Sequence, residues 1–304
     1  MLALRPRRSD LRPQPFETCS DASPAAANRA PRAAMKPKSS LDVIRTRYPN
    51  ALSTADTVDR LLDLMDARLA VPPSRIMLGD SICSDDLNAI EYPRRAFDML
   101  GPFKMGGLDG FPFAGLTGMS AFAHHVPDDG AVFLFHGPHI GVSKSGDTGV
   151  ILRPGHKRHS ACCGAIRAAV EKLKTAAIRA GEVTELDYQQ NVLEQLLLQQ
   201  RERILSARCA MAESTEVVYG AIEQRIDVLA ARTTYPCRHL VIMGGVLINS
   251  DHDVGSFCCF RRLIHVDLET RQEEDWLPEL LRAEPASQSL HSQSDDPAVP
   301  LART

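Results

Sequence analysis

The sequence predicts an α/β protein in which helices flank a largely parallel central sheet. Short apolar, β-prone runs at 76–78, 130–135 and 238–249 are typical of buried strands, and glycines interrupt the chain at or after them. Amphipathic helical patterns separate these runs, and such alternation is typical of parallel strands joined by helices. A further run at 263–268 alternates between apolar and polar residues, so we expect it at an edge of the sheet.

Helical patterns occur in four parts of the chain. Apolar residues recur at helical spacing through 40–70, where the run at 53–56 (STAD) is typical of a helix start, with a hydroxyl available to cap free backbone amides. A short helix is expected at 117–123, and another begins after Cys163. The stretch 184–232 is expected to form one long helix or two, with an apolar face that covers one side of the sheet.

Both ends of the chain differ in composition from the middle. Residues 1–39 are rich in Arg, Ala, Pro and Ser and poor in acids, so we expect them to be disordered. The same composition is typical of organelle transit peptides, although a plain disordered tail, or a true start at Met35, explains it equally well. Residues 282–304 are rich in polar residues and are also expected to be disordered. A single α/β domain is therefore expected over 40–281.

Composition argues against several classes of protein. The formal net charge of −3 and the pI near 6.4 argue against a nucleic-acid-binding surface, which usually needs a basic face. No apolar run approaches the ~18–20 residues that a membrane-spanning helix requires. Eight cysteines in a chain of 304 residues, with no visible signal-peptide core, favour a reducing compartment in which some cysteines are metal ligands.

The residues with candidate chemistry lie where predicted strands end or a helix begins. Catalytic zinc sites use three protein ligands and keep a fourth position for water, and thiolates and imidazoles suit zinc. Asp85, two residues after Cys83, can accept a hydrogen bond from a metal-bound water. In the alternative interpretation, the cysteines only pack in a metal-free core. The candidate ligands are Cys83, either His136 or His139, and either Cys162 or Cys163.

A glycine-rich segment at 103–118 carries Phe111 and Phe113. Close approach of the backbone, together with aromatic rings that wall a small apolar pocket, explains this mixture. A buried glycine-rich turn followed by a helix explains it as well.

Several segments in order carry a family resemblance. The runs at 81–88 (SICSDDLN), 106–118 (GGLDGFPFAGLTG), 135–141 (FHGPHIG) and 162–165 (CCGA) resemble the limiting-CO2-inducible B/C family. Proteins of that family belong to the inorganic-carbon systems of algae, have bacterial relatives and are similar in fold to β-type carbonic anhydrases. The resemblance covers roughly 48–275.

The resemblance implies a zinc ion held by two cysteines and one histidine, with an aspartate near the metal's water. Carried onto this chain, it assigns Cys83, His139 and Cys163 as the metal ligands. Asp85 is then the acid that orients the water. The alternatives of His136 for the imidazole and Cys162 for the second thiolate stay open.

One position departs from the β-type pattern Cys-x-Asp-x-Arg, in which the arginine pairs with the aspartate and keeps it off the metal. Leu87 stands at the arginine position. Unless another arginine takes that role, Asp85 would itself ligate zinc and close the water position. The candidate arginines are Arg95, Arg153 and Arg158.

The resemblance therefore implies a zinc-dependent carbonic anhydrase that interconverts CO2 and bicarbonate, with CO2 in a pocket walled by Phe111 and Phe113. The alternative is a catalytically inactive scaffold or regulatory partner in a CO2-concentrating system. A homodimer, or a hetero-oligomer with a paralogue, is expected. The composition of residues 1–39 favours the chloroplast, and the cytoplasm is the alternative.

Overall fold

The computed structural model describes residues 39–88, 92–251 and 256–282. The segments predicted to be disordered, 1–39 and 282–304, lie outside the described residues apart from Ser39 and Arg282, and their disorder stays a prediction. In chain order, the helices and strands are α1 (Ser40–Arg45), β1 (Ala51–Ser53), α2 (Thr54–Leu69), β2 (Ile76–Ser81), β3 (Leu100–Lys104), α3 (Gly115–His124), β4 (Ala131–His136), β5 (His139–Gly141), β6 (Val150–Ile151), β7 (Ser160–Ala161), α4 (Gly164–Lys174), α5 (Tyr188–Gln199), α6 (Arg201–Ser206), α7 (Ala210–Arg232), β8 (His239–Asn249), β9 (Phe257–Asp267), β10 (Glu273–Asp275) and α8 (Leu277–Arg282).

A central sheet organises the described part of the chain. Its main path is β1-β9-β8-β4-β2-β3, with β10 beside β9 and β5 beside β8. Strands β3, β2, β4 and β8 are parallel to one another, whereas β9 runs antiparallel to β8 and to its other neighbours. The predicted α/β class with a largely parallel central sheet flanked by helices is confirmed.

Strand β4 shows how both faces of the sheet are covered. All six of its residues are buried. Val132 and Leu134 face an apolar cluster that includes α3, α4, α5 and α7, whereas Phe133 and Phe135 face a second cluster with α2 and α8. Burial on both faces explains why this strand is a continuous apolar run rather than an alternating one.

The helix starts follow from local sequence. Helix α2 begins within the predicted run 53–56, and Ser53 is its cap, because the Ser53 Oγ accepts a hydrogen bond from the Asp56 N–H at 3.3 Å. The predicted long stretch 184–232 contains three helices, because the backbone leaves the helical conformation at Gln200, between α5 and α6, and becomes extended at Ala207 and Cys209, between α6 and α7.

The prediction that the run 263–268 forms an edge strand is wrong. This run belongs to β9, which has eleven residues and lies between β8 on one side and the short strands β1 and β10 on the other. The two three-residue strands cover its outer side and supply the hydrogen bonds that an edge would leave unpaired. Separately, none of the helices in the described ranges is long and apolar enough to cross a membrane.

Candidate metal centre

The candidate ligands meet because parallel strands end at the same side of the sheet. Cys83 follows β2 by two residues, and His139 begins β5 just after β4. Strands β2 and β4 are in parallel register up to Ser81 opposite His136, so their carboxyl ends lie side by side. Cys163 is the N-cap of α4. Such strand ends are where ligands bind in open α/β sheets.

Three side chains converge there. The ligand atoms of Cys83, His139 and Cys163 all lie within 4.8 Å of one another, and all three residues are buried. Within the described ranges, no other group of His, Cys, Asp or Glu side chains has this arrangement. His139 is fully buried, and its Nε2 has no hydrogen-bond partner there. A buried imidazole nitrogen without a partner, beside two thiols, fits a bound metal ion.

Asn249 orients the imidazole of His139. The Oδ1 of Asn249 lies 2.7 Å from His139 Nδ1, and the Nδ2 of Asn249 donates to the Leu87 carbonyl at 2.9 Å. Because the amide nitrogen is used by that carbonyl, the amide oxygen faces the ring. The amide oxygen therefore favours a proton on Nδ1, which makes Nε2 the nitrogen that would bind a metal ion. Burial opposes a charge on this ring, but the thiols of Cys162 and Cys83 outweigh it and raise the pKa of His139 well above its usual value, so a bound metal ion would displace a proton from Nε2.

Asp109 ties two of the candidate ligands together. Its backbone N–H donates to Cys83 Sγ at 3.1 Å, and its Oδ1 accepts from the His139 backbone N–H at 3.2 Å. Asp109 adopts a left-handed φ of 51° within a turn of the glycine-rich segment. Burial raises its pKa to about 8, although the nearby His139 opposes the rise. The buried carboxyl thus stabilises the arrangement from behind the ligands.

The pKa values of the Cys83 and Cys163 thiols are shifted in opposite directions. A hydrogen bond from Cys163 lowers the pKa of Cys83 to about 4, against the opposing effect of burial. The same hydrogen bond, together with burial, raises the pKa of Cys163 well above its usual value. Ionisation of one thiol is thus favoured and that of the other opposed, and a bound divalent cation would stabilise both thiolates.

The structure separates the alternatives left by the sequence. His136 lies on the same side of the sheet but stacks on Tyr219 of α7, with ring centroids 6.2 Å apart, outside the group of three. Burial, aided by Arg262, lowers the pKa of His136 to about 3, so the ring is neutral. Cys162 is also outside the group of three: its Sγ lies 3.4 Å from Asn249 Oδ1 and 3.6 Å from Nδ1 of the His139 ring. His139 and Cys163 are the residues brought together with Cys83.

Arg153 holds the carboxylate of Asp85. Its Nη2 lies 2.8 Å from Asp85 Oδ2 and its Nη1 lies 3.2 Å from Oδ1, while the Leu87 N–H donates to Oδ1 at 3.1 Å. Burial alone would raise the pKa of Asp85, but the bonds from Arg153 and Leu87 outweigh it and lower the pKa to about 2. Asp85 is ionised, and it is not a member of the group of three.

The other two candidate arginines lie elsewhere. Arg95 contacts Asp59 at 2.6 Å and Asp63 at 2.7 Å, both on α2. Arg158 is exposed in the loop before β7. Arg153 is therefore the arginine that pairs with Asp85 in the described structure.

The predicted pocket residues lie next to one another. Phe111 is buried, and its ring centroid is 5.0 Å from that of the half-buried Phe113. The Cζ of Arg225 lies 5.4 Å from the centroid of the Phe111 ring. The ring of Tyr188 contacts that of Phe113, with centroids 6.1 Å apart. Because Phe111 comes two residues after Asp109, the aromatic pair adjoins the turn that contacts Cys83. That these rings wall a substrate pocket stays a prediction.

Sequence reasoning missed Asn249 and Asp109 as site residues. Asn249 ends the predicted strand 238–249, and a polar side chain at the carboxyl end of a central strand is a recognisable signal. Asp109 lies inside the glycine-rich run, where a lone acid between glycines marks a left-handed turn. Neither signal specifies the partner of the side chain.

The fold and the site together define an α/β protein with a buried Cys-His-Cys group that can bind a metal ion at the carboxyl ends of parallel strands. The family described as limiting-CO2-inducible proteins B/C β-carbonic anhydrases matches residues 52–267, which is well over half of the chain. The chain belongs to this family, and the predicted resemblance is confirmed. None of the curated proteins matches the chain.

Solved structures give the same result. A mutant of PtLCIB4, a homolog of the limiting CO2-inducible protein LCIB, is 28% identical, with a TM-score of 0.69 over 79% of this chain and 99% of its own. PtLCIB4 itself is 27% identical, with a TM-score of 0.66 over 77% and 98%. LCIB is 18% identical, with a TM-score of 0.55 over 75% and 94%, which supports the fold alone.

Proposed function

We propose that the chain is a zinc-dependent carbonic anhydrase that converts CO2 and water into bicarbonate and a proton. One observation carries the proposal: Arg153 holds the carboxylate of Asp85, which is not part of the three-residue group. An acid held in this way can bind water rather than metal, and the fourth position that a catalytic zinc requires is left to water. Membership of the family supports the same chemistry.

Cys83, His139 and Cys163 would hold the zinc ion. Two thiolates and an imidazole suit zinc better than the hard cations Mg²⁺ and Ca²⁺. Asn249 would keep the His139 ring in the ligating tautomer. When bound, zinc supplies a Lewis acid that makes water a nucleophile near neutral pH.

Asp85 would orient the attacking water. With a pKa of about 2, its carboxylate is ionised at physiological pH and can only accept hydrogen bonds. The contacts of Arg153 with both carboxylate oxygens restrict its rotation. An acceptor fixed in this way holds a proton of the water toward itself, so that a lone pair is left to attack the carbon of CO2.

CO2 would lie against Phe111 and Phe113. Both rings offer apolar surface, and the buried Phe111 excludes water from one wall. An apolar wall favours the uncharged substrate over the charged product, which assists release of bicarbonate to solvent. The proton released in the reaction passes to solvent as well.

A place in inorganic-carbon handling is proposed on the same basis, since the solved relatives are named as limiting CO2-inducible proteins or their homologs. A homodimer, or a hetero-oligomer with a paralogue, is proposed alongside it, and light-scattering mass of the purified chain tests that assignment. The plastid location proposed from residues 1–39 is tested by imaging a fluorescent fusion of the full chain.

Stopped-flow CO2 hydration by protein of measured zinc content tests the proposed reaction. We expect about one zinc per chain together with hydration, and loss of both in Cys83→Ser. About one zinc per chain without CO2 hydration would contradict the proposed activity and favour the alternative of a catalytically inactive scaffold. A well-folded chain that takes up no zinc would contradict both.

A further inference from the structure

A cavity lies away from the candidate metal centre. It has a volume of about 450 Å³ and is bounded by the end of α1, the segment 147–150, one side of α4 and the start of α7. None of the three candidate metal ligands lines it. Its volume falls within the range of about 300–1,000 Å³ that is typical of small-molecule sites.

The charged residues of this cavity are mainly basic. Its lining contains Arg47, Arg167, Lys174 and Arg208, against a single acid, Asp147. Four cations and one acid give this wall a formal charge of +3, although the whole chain has a formal net charge of −3. Two of these cations lie on α4 and the other two on the segments after α1 and before α7, so their convergence creates a local field that attracts anions.

Glu171, which adjoins the cavity, contacts two of these cations. Glu171 contacts Arg167 Nε at 3.3 Å and Lys174 Nζ at 3.2 Å through the same carboxylate oxygen. A guanidinium has five N–H donors and an ammonium three, so each cation retains donors for a ligand. Side chains of Arg167 and Lys174 are also about half exposed, which leaves them within reach of solvent.

The floor of the cavity is apolar. Val150, Leu205 and Met211 line it, and the side chains of Val150 and Leu205 are partly exposed there. The first residues of α7, Ala210 and Met211, also line the cavity, and no side chain caps this 23-residue helix at Cys209. The free N–H groups of a helix start add to the attraction for an anion.

We propose that this cavity binds a nucleoside phosphate, with its phosphates on the basic rim and its base on the apolar floor. Several converging cations match the two or more charges of a diphosphate better than the single charge of a carboxylate. An inorganic phosphate would leave the apolar floor uncovered. The cavity volume accommodates both parts of such a ligand.

The ligand would contact the helix that carries a candidate metal ligand. The Arg167 N–H donates to the Cys163 carbonyl at 3.1 Å, so the basic rim begins one turn after Cys163. Gly149 in the cavity-side segment donates to the Gly141 carbonyl at 2.8 Å and accepts from the Cys162 N–H at 3.1 Å. The binding site proposed here stands without the proposed enzymatic activity, since its test measures binding only.

Isothermal titration of the full chain with ADP, pyrophosphate and adenosine tests the proposal. ADP should bind at least about tenfold more tightly than either of the other two, since only ADP uses both the rim and the floor. Arg167→Ala and Arg208→Ala should each weaken ADP binding about tenfold, as expected for a lost charged hydrogen bond. Arg179→Ala, at an 83% exposed arginine outside the cavity, is the matched control and should leave binding unchanged.

Protection of Cys209 gives a second readout that needs no mutation. Cys209 lines the cavity and is half-buried, whereas the other six cysteines of the described ranges are buried. Saturating ADP should slow alkylation of Cys209 by iodoacetamide about fivefold or more, as measured by peptide mass spectrometry. The proposal is overturned if millimolar ADP neither binds nor protects Cys209. It is equally overturned if pyrophosphate binds as tightly as ADP, or if Arg179→Ala weakens binding as much as Arg208→Ala.

Discussion

The guanidinium of Arg153 donates hydrogen bonds to both carboxylate oxygens of Asp85, at 2.8 and 3.2 Å, although 68 positions separate the two residues along the chain. Arg153 also contacts Asp86 at 2.9 Å. It therefore connects the loop after β6 to the segment that follows Cys83. In the β-type pattern the arginine comes two residues after the aspartate, where this chain has Leu87. In this chain an arginine from another loop contacts Asp85.

Replacing Arg153 with alanine tests this relationship. Without the guanidinium, Asp85 can rotate toward the metal, so we expect Arg153→Ala to keep about one zinc per chain but to lose CO2 hydration about 100-fold or more. Stopped-flow hydration and zinc content measured on one preparation separate the two effects. Arg158→Ala, in the same loop but exposed, should retain hydration. Full activity in Arg153→Ala would show that Asp85 needs no arginine.

Asn249 should set the metal affinity through His139. Asn249→Ala removes the acceptor 2.7 Å from Nδ1, so we expect zinc affinity to fall about 10- to 100-fold. Asn249→Asp keeps an acceptor for Nδ1–H and is the matched control, with affinity close to that of the unchanged chain. Competition with a chromogenic chelator measures both. Equal losses in the two variants would indicate that the hydrogen bond to Leu87, rather than the one to His139, is what matters.

The adjacent cysteines should differ sharply. Cys163→Ser should abolish stoichiometric zinc, because a serine hydroxyl is a poor ligand and the Sγ of Cys163 belongs to the group of three. Cys162→Ser should keep zinc near one per chain, since its Sγ faces Asn249 rather than Cys83 and His139 Nε2. Elemental analysis of both purified variants gives the answer. Zinc lost in Cys162→Ser but kept in Cys163→Ser would reverse the assignment.

Local sequence identified the candidate ligands because each of them sits next to a strand end or a helix start. Cys83 follows β2, His139 follows the turn after β4, and Cys163 caps α4. The family resemblance favoured Cys163 over Cys162, but helix and strand patterns do not choose between them, since neighbouring side chains point in different directions and the packed backbone decides which one enters the group. Secondary-structure patterns carry no such information.

Partners distant in sequence were harder to predict for the same physical reason. His139 and Asn249 are 110 positions apart, and the pair forms only because β5 and β8 run in register up to Asn249. The prediction that 263–268 lies at an edge was wrong because β10, which pairs with this run, has only three residues. Such a short strand shows no periodic pattern in the sequence. Strand order depends on contacts between segments, which single runs of residues do not encode.

His136 should make the fold sensitive to acid. Its ring is fully buried and both nitrogens have no hydrogen-bond partner among the described residues, and burial lowers its pKa to about 3. An unfolded histidine has a pKa of about 6.5, so below that pH the unfolded state binds a proton that the folded state does not. The unfolded state is therefore favoured as pH falls from about 6.5 toward 3, by roughly 2 kcal/mol at about pH 5.

His136→Phe should remove this acid sensitivity while keeping the ring contact with Tyr219. We expect the unchanged chain to lose about 2 kcal/mol more of unfolding free energy than the variant between about pH 7 and 5, as measured by urea unfolding with a chelator present. The chelator removes metal from both proteins, so protonation of the metal ligands affects them equally. The variant should also bind zinc as the unchanged chain does, because the imidazole in the group of three is that of His139. An equal pH dependence in the two proteins would mean that His136 is protonated inside the fold, and loss of zinc in the variant would make His136 a ligand after all.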